Sequence, residues 1–557
     1  MKKIRILNRL SAFELFICMM IFAMIATLTP VDLSASEEPI GRTMARQAVK
    51  REHRWITTDH SKHEELKKNF MSGDEITKAC LSCHSEAASQ FHKTIHWTWL
   101  ASEEDFKADF KSTDKADKKS RRYGKAGYSI NNFCLSSNNM QDKACLSCHT
   151  GWDSINGEVN CLKCHGLTKF NYKEAFDDIK EFASDDDEET KEIMAEIQND
   201  IKKAVGNIGL PDRSHCGECH FKGGGGDGVK HGDLDTSLIK PNRNLDVHMG
   251  VDGKNFTCTR CHTTTNHNVA GRIYTNPAVE SNKSLLEDDL APKITCISCH
   301  SETPHKTSSK MNDHTDKVAC QSCHIPEYAR INPTKMGWDW SKAGKRDKDG
   351  KPYTVVGDLG KETYLSIKGE MIWEKNVKPQ YFWSNGSQTS TTAVDVIDPS
   401  TVVKVSHPVG DKNDPNSRIF PFKVHKGNQP YDKVHKTLLG PLLSGEKGYW
   451  TTLNWDESLT IGNEMLGLPF SGEFAFVEST YVFPITHMVA PREKALKCIE
   501  CHTRNDGRLE NLTGFYMPGR DKASIVDSFG WLAVLGSLAG VALHGLGRFL
   551  TRNGKEK

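Results

Sequence analysis

CLSCHTGWDSINGEVNCLKCH occupies residues 145–165 and holds the pattern C-x-x-C-H twice. The same pattern occurs eight times in the chain. Its copies are Cys80, Cys83 and His84; Cys145, Cys148 and His149; Cys161, Cys164 and His165; Cys216, Cys219 and His220; Cys258, Cys261 and His262; Cys296, Cys299 and His300; Cys320, Cys323 and His324; and Cys498, Cys501 and His502. C-x-x-C-H is the attachment motif of c-type haem. The thiols form thioethers to the porphyrin, and the histidine binds the iron. Structural zinc and dithiol redox pairs also use paired cysteines. Zinc needs no histidine after every pair, and a redox pair is not needed eight times. The pattern therefore predicts eight covalently bound haem c groups. It uses 16 of the 18 cysteines and leaves Cys18 and Cys134.

The haems change how the composition reads. Only 37% of the 557 residues are hydrophobic, which is lean for a chain of this length. Eight macrocycles supply the missing apolar core. The expected fold is a multihaem cytochrome c, with mainly short α-helices and long loops around eight c-type haems, little β, and a C-terminal transmembrane helix. The formal net charge is +1. Haem propionates make the holoprotein acidic, which argues against a nucleic-acid partner.

Both ends carry membrane signals. Basic residues precede an apolar stretch from Leu15 to Leu28, and a cleavage site fits near Ala35. Residues 1–35 read as a signal peptide, with an uncleaved anchor as the alternative. At the other end, FGWLAVLGSLAGVALHGLGRFL covers Phe529 to Leu550. Its length suits the roughly 20 residues that span a bilayer. Arg548, Arg552, Lys555 and Lys557 put the tail in the cytoplasm by the positive-inside rule. The haem domain is then expected on the periplasmic side of the inner membrane. Gly536 and Gly540 offer a small-residue face to another helix, and His544 lies near the cytoplasmic end of the span.

The expected division is a signal peptide at 1–35, a haem domain with seven motifs at 36–324, and a haem-free wrapping region at 325–497. The eighth motif and a linker follow at 498–524, then the transmembrane helix at 525–550 and a cytoplasmic tail at 551–557. The wrapping region contains strand-like pieces such as KPYTVVGDL and STVVKVSHPVG. The acidic run from Phe176 to Val205 reads as a solvated surface helix. Cys145 and Cys161 are so close in sequence that their haems should nearly touch.

Each iron has two axial sites, and the motif histidines fill one. Sixteen other histidines remain. Those near motifs are the expected distal ligands: His96, His231, His248, His267, His305, His314 and His487, with His60 and His425 in reserve. Two axial histidines make an electron-carrying iron, whereas a weaker or replaceable distal ligand makes a catalytic one. Seven distal histidines for eight haems leave one iron for another ligand.

FKGGGGDGVKHG, residues 221–232, sets four glycines before Asp227, Lys230 and His231. The glycines suit backbone passing close to something bulky. In an extended segment, Lys230 and His231 would point opposite ways and serve two haems. This stretch, NNFC at 131–134, LDVHMG at 245–250 and HMVAPREKALKCIECH at 487–502 resemble the octahaem tetrathionate reductase family of cytochromes c. The resemblance covers roughly Arg54 to Leu509. It implies that the haem on Cys145, Cys148 and His149 takes Lys230 as its distal ligand. It also implies that Asp227, Asn131 and Cys134 line the catalytic pocket. The C-terminal helix departs from the family pattern.

Two functions follow. In the first, the chain is an anchored reductase of the tetrathionate reductase type. Electrons arrive from a quinol-oxidising membrane cytochrome b or a similar partner and reduce a small oxyanion at the lysine-ligated haem. Tetrathionate is the substrate implied by the resemblance, and nitrite or hydroxylamine are further candidates. In the second, the chain is a non-catalytic electron-transfer subunit.

Overall fold

The computed structural model describes residues 39–49, 55, 57–98, 148–152, 158–185, 187–271, 295–522 and 524–552. The expected signal peptide, Cys18, Asn131, Cys134, Cys145 and the end of the tail lie outside them.

Capping residues start the early helices. Helix α1 (Gly73–Leu81) begins at Ser72, whose hydroxyl accepts the Glu75 N–H, and it runs into the first motif. In α2 (Tyr172–Phe182) and α3 (Glu188–Gly206) the caps are Asn171 and Asp187. The acidic run is thus two helices. Aspartate competes with the helical backbone in mid-helix but caps it well, so the break falls at Asp187. Nor are these helices wholly solvated. Phe176, Ile179, Ile201 and Val205 face inward and pack with Phe70, Ile76 and Leu162. Helix α4 (Arg213–His220) carries the fourth motif. The Asp212 carboxylate accepts from the Ser214 and His215 N–H groups at its start.

The region after the seventh motif corrects the expectation of little β. It builds an eight-stranded sheet. The strands are β1 (Thr334–Asp339), β2 (Thr354–Val356), β3 (Glu362–Leu365), β4 (Gly369–Glu374), β5 (Gln380–Ser384), β6 (Val403–Lys404), β7 (Arg418–Asp432) and β8 (Phe474–Pro484). Their order is β2-β3-β4-β1-β7-β8-β6, with β5 also paired to β7. Strands β7 and β8 pair antiparallel from Phe422↔Pro484 to Asp432↔Phe474. The β7–β1 and β8–β6 ladders are parallel. The physical reason is local. No C-x-x-C-H falls between Ile325 and Lys497, so this stretch has no attached macrocycle to bury and must form its own core. Val405, Leu438, Val477, Tyr481 and Phe483 supply it. Aromatic and β-branched residues suit strands, and β8 (FAFVESTYVFP) is rich in both.

The eighth motif leads into a tight clamp. His502 Nδ1 lies 2.7 Å from Pro518 O. Arg520 donates to the carbonyls of Leu509, Leu512 and Phe515 and pairs with Asp521. Helix α5 (Ser524–Arg552) follows. Its 29 residues extend about 43 Å at ~1.5 Å per residue, against about 30 Å of bilayer hydrocarbon. Its side chains are exposed from Ser524 to Thr551 apart from the turns of the helix itself. This is the one described helix long and apolar enough to cross a membrane.

Candidate haem-binding site

Each motif is one helical turn. The His84 N–H reaches Cys80 O at 2.9 Å, and His165 to Cys161, His262 to Cys258, His300 to Cys296 and His502 to Cys498 repeat the bond. Positions i, i+3 and i+4 share a helix face, so two thiols and an imidazole turn the same way.

Six motif histidines face a histidine from elsewhere in the chain. The ring centroids are 6.2 Å apart for His84 and His60, 6.1 Å for His220 and His96, and 6.0 Å for His300 and His248. They are 6.3 Å apart for His262 and His487, 6.2 Å for His324 and His305, and 6.1 Å for His502 and His314. His165 of the third motif lies within electrostatic reach of His267. Two metal–imidazole bonds of about 2 Å each, with the two half-rings, span about 6 Å. The paired residues therefore fit an iron between them. Their outer nitrogens fit too. Nδ1 of His165, His262 and His502 lies 2.9, 2.8 and 2.7 Å from backbone carbonyls, which leaves Nε2 for a metal. Burial, then neighbouring His96, pushes the His220 pKa down to about 3, so the neutral, ligating form prevails.

His60, a reserve in the sequence, takes the place opposite His84, and the expected ligand His231 joins none of these pairs. The His231 ring instead meets Phe483 edge-on at 5.6 Å. Lys230 Nζ is 5.6 Å from the same ring. The segment is a series of turns rather than extended chain, so the two neighbours do not diverge. The reserve His425 is buried behind them, with Nδ1 3.1 Å from Lys335 O.

Cysteine contacts join the motifs into one array. The sulfurs of Cys80 and Cys161, of Cys216 and Cys258, of Cys219 and Cys148, and of Cys296 and Cys320 are close neighbours. Cys261 lies near Cys299, and Cys323 near Cys501. Cys164 approaches both Cys216 and Cys219. The fourth motif thus touches the second, third and fifth, and the fifth to eighth follow in line. Motifs two and three also touch, since Lys163 donates to His149 O.

The glycine-rich loop leaves α4 at this junction. Gly228 has φ +68°, and a Cβ there would sit 2.8 Å from Pro333 O. The close approach is to the 328–334 segment. Lys230 packs its stem over Gly223. His149 lies beside Trp97, ring centroids 5.0 Å apart. The Asp227 carboxylate accepts from Thr236 N (2.8 Å), Thr236 Oγ1 (2.6 Å) and Asn332 Nδ2 (3.2 Å), which fasten the loop.

Three residues here were not singled out in the sequence. Lys423 on β7 has no exposed surface, and burial holds its pKa well below the ordinary lysine value. Its Nζ donates to Val229 O (2.9 Å), Lys230 O (3.1 Å) and Thr334 Oγ1 (2.7 Å). Asp233 holds His487, as described below. Asp235 is buried, with Oδ2 lacking a hydrogen-bond partner. Burial, with Asp227 adding repulsion, pushes its pKa up from 3.8 to about 6. The folded state then binds this proton more tightly than the unfolded state does. Its contribution is favourable below the ordinary value and is lost as pH rises towards 6. Asp235→Asn is expected to stabilise the protein at pH 8 by on the order of 2–3 kcal/mol, with little difference at pH 4. Denaturant midpoints at both pH values check this, and an equal gap at the two would refute it.

The comparisons decide the family. A crystal structure of the octahaem cytochrome c from Shewanella oneidensis is similar over 84% of this chain and 99% of that one, with 36% identity and a TM-score of 0.66. The chain belongs to the octahaem cytochromes c. The cytochrome also matches the family model for bacterial cytochrome c over residues 335–505, which spans the sheet and the eighth motif. It matches cytochrome c7 and related cytochromes c over 242–328, which spans motifs five to seven. A search of curated proteins found no match. Covalently bound c-type haem is thereby supported for this octahaem cytochrome.

Proposed function

We propose that the chain is a membrane-anchored reductase with eight haems, in which Lys230 serves the second motif and the paired histidines serve the other seven. The carrying observation is the position of the Lys230 loop. It leaves the fourth motif, whose Cys219 reaches Cys148 of the second, and three fasteners hold it: Asp227, Thr334 and Lys423. When bound, the haems supply electron transfer and a reducing iron. The chain's own residues orient the substrate and control access. Lys230 presents an amine to a small oxyanion or yields its place to it. Asn131 and Cys134 are the further pocket residues on the family resemblance. Tetrathionate is the preferred substrate: two electrons cleave its central S–S bond and release two thiosulfates. Nitrite and hydroxylamine are the alternatives.

The test is near-infrared magnetic circular dichroism with EPR on the oxidised protein, followed by mixing the reduced protein with tetrathionate. One histidine–lysine signature and rapid reoxidation are expected. Histidine–histidine signatures alone, with no reoxidation by any of the three substrates, would leave an electron-transfer subunit.

Helix α5 would anchor the haem domain on the periplasmic side, within reach of a quinol-oxidising cytochrome b. A chain ending at Lys522 is expected to appear in the soluble periplasmic fraction with its haem spectrum unchanged. Retention in washed membranes would refute the anchor.

A further inference from the structure

Six of the fourteen paired histidines direct Nδ1 to an uncharged oxygen. His165, His262, His502 and His314 use backbone carbonyls, and His305 and His267 use the side-chain oxygens of Asn312 and Gln90. His487 differs. Its Nδ1 lies 3.2 Å from Oδ2 of Asp233. Asp233 is 1% exposed. The same Oδ2 accepts from the N–H groups of Thr486 (2.8 Å) and His487 (2.9 Å), while Oδ1 is buried with no hydrogen-bond partner. The Thr486 hydroxyl also lies 3.1 Å from Nδ1. His248 is the other paired histidine with an acid nearby among the described residues, but Asp246 Oδ1 is 3.8 Å away and already accepts two backbone N–H groups.

We propose that Asp233 is a positioning residue that gives the fifth-motif haem the lowest reduction potential of the histidine-paired set. The proposal rests on the axial pairing of His262 with His487. With Nε2 on the metal, Nδ1 must carry the proton and donate it. A buried anion draws that proton more strongly than a carbonyl does, so His487 gains imidazolate character and donates more electron density. The oxidised iron carries one more positive charge and is favoured by that density and by the anion itself. One electron converts ferric to ferrous, and the proton stays on His487, so no other bond forms or breaks. Low dielectric keeps the effect strong at a site this enclosed.

Position gives this a consequence. Motif five touches motif four through Cys258 and Cys216, and approaches motif six through Cys261 and Cys299. It therefore lies between the eighth motif, beside the apolar helix, and the second. Asp233 would set the height of one step on that path.

The test is potentiometry of the purified holoprotein followed by EPR and near-infrared magnetic circular dichroism. In Asp233→Asn one component should shift upward by about tenfold in its one-electron equilibrium constant, about 59 mV. The other components should stay, and the displaced imidazolate-like band should join the ordinary histidine–histidine bands. Asparagine keeps an oxygen for the two backbone N–H groups. No shift, or a uniform shift of every component, would overturn the proposal. The wild-type spectrum gives a reading that needs no variant: one imidazolate-like component supports the proposal, and none overturns it. Thr486→Val should leave that component in place; if it moves the potential as Asp233→Asn was expected to, the hydroxyl is the partner and the proposal is wrong. His487→Gly separates the two layers. Loss of one low-spin component upholds the pairing, and its full retention overturns the pairing itself.

Discussion

Lys230→His is expected to lower tetrathionate turnover by about 10²-fold or more while leaving haem content unchanged. The lysine stem lies over Gly223 and its amine reaches past Phe483 at a junction of three motifs. An amine on a flexible stem can move aside for a substrate. An imidazole at the same position is stiffer and a firmer ligand, so it converts a replaceable site into an electron-carrying one. Steady-state assays with a reduced viologen donor measure the loss, and the lysine signature in the near infrared should vanish with it. Unchanged turnover would sink the active-site assignment.

Lys423→Met is expected to destabilise the protein by about 2–4 kcal/mol, at roughly 1–3 kcal/mol for each buried carbonyl left without its donor. The Thr334 hydroxyl gives its proton to Gly228 O at 2.6 Å. All three contacts of Lys423 draw protons from Nζ, the full complement of an ammonium, so they oppose the burial that lowers its pKa. Methionine keeps the stem's volume but leaves the Val229 and Lys230 carbonyls unpaired in a site closed to water. The loop should loosen, so turnover should fall together with stability. Denaturant unfolding measures the first effect. A variant as stable as the wild type, with the same lysine signature, would show that Lys423 does not hold the loop.

The motifs were legible because haem attachment depends on spacing within one helical turn. Nearness to a motif picks out His96, His248, His267, His305, His314 and His487, each of which meets a motif histidine, but folding at long range decides the rest. His231 follows the fourth motif closely, yet turns bring it to Phe483, while His60 reaches His84 from the other side of α1. His487 and His262 meet across most of the sheet region. The sheet itself was visible only as fragments. Long strands such as β7 carry Lys423, His425 and Gly427 among apolar residues, which blurs their alternation. That blur was also a signal. A lysine set between Phe422 and Val424 has to find buried acceptors, and here it finds the glycine-rich loop. The Asp227 oxygens hold the turn through Thr236, a contact that sequence spacing does not reveal.

The Arg520 clamp has a kinetic consequence. It fastens residues 509–521, which follow the eighth motif, through short, saturated hydrogen bonds, with His502 bonded to Pro518 on the same stretch. Were α5 seated in a bilayer, as proposed, the eighth motif would be held close to the lipid surface. A partner embedded in the same membrane then searches for it in a plane rather than a volume. Encounter depends on lateral diffusion and on surface density, and is insensitive to how dilute either protein is in the compartment as a whole.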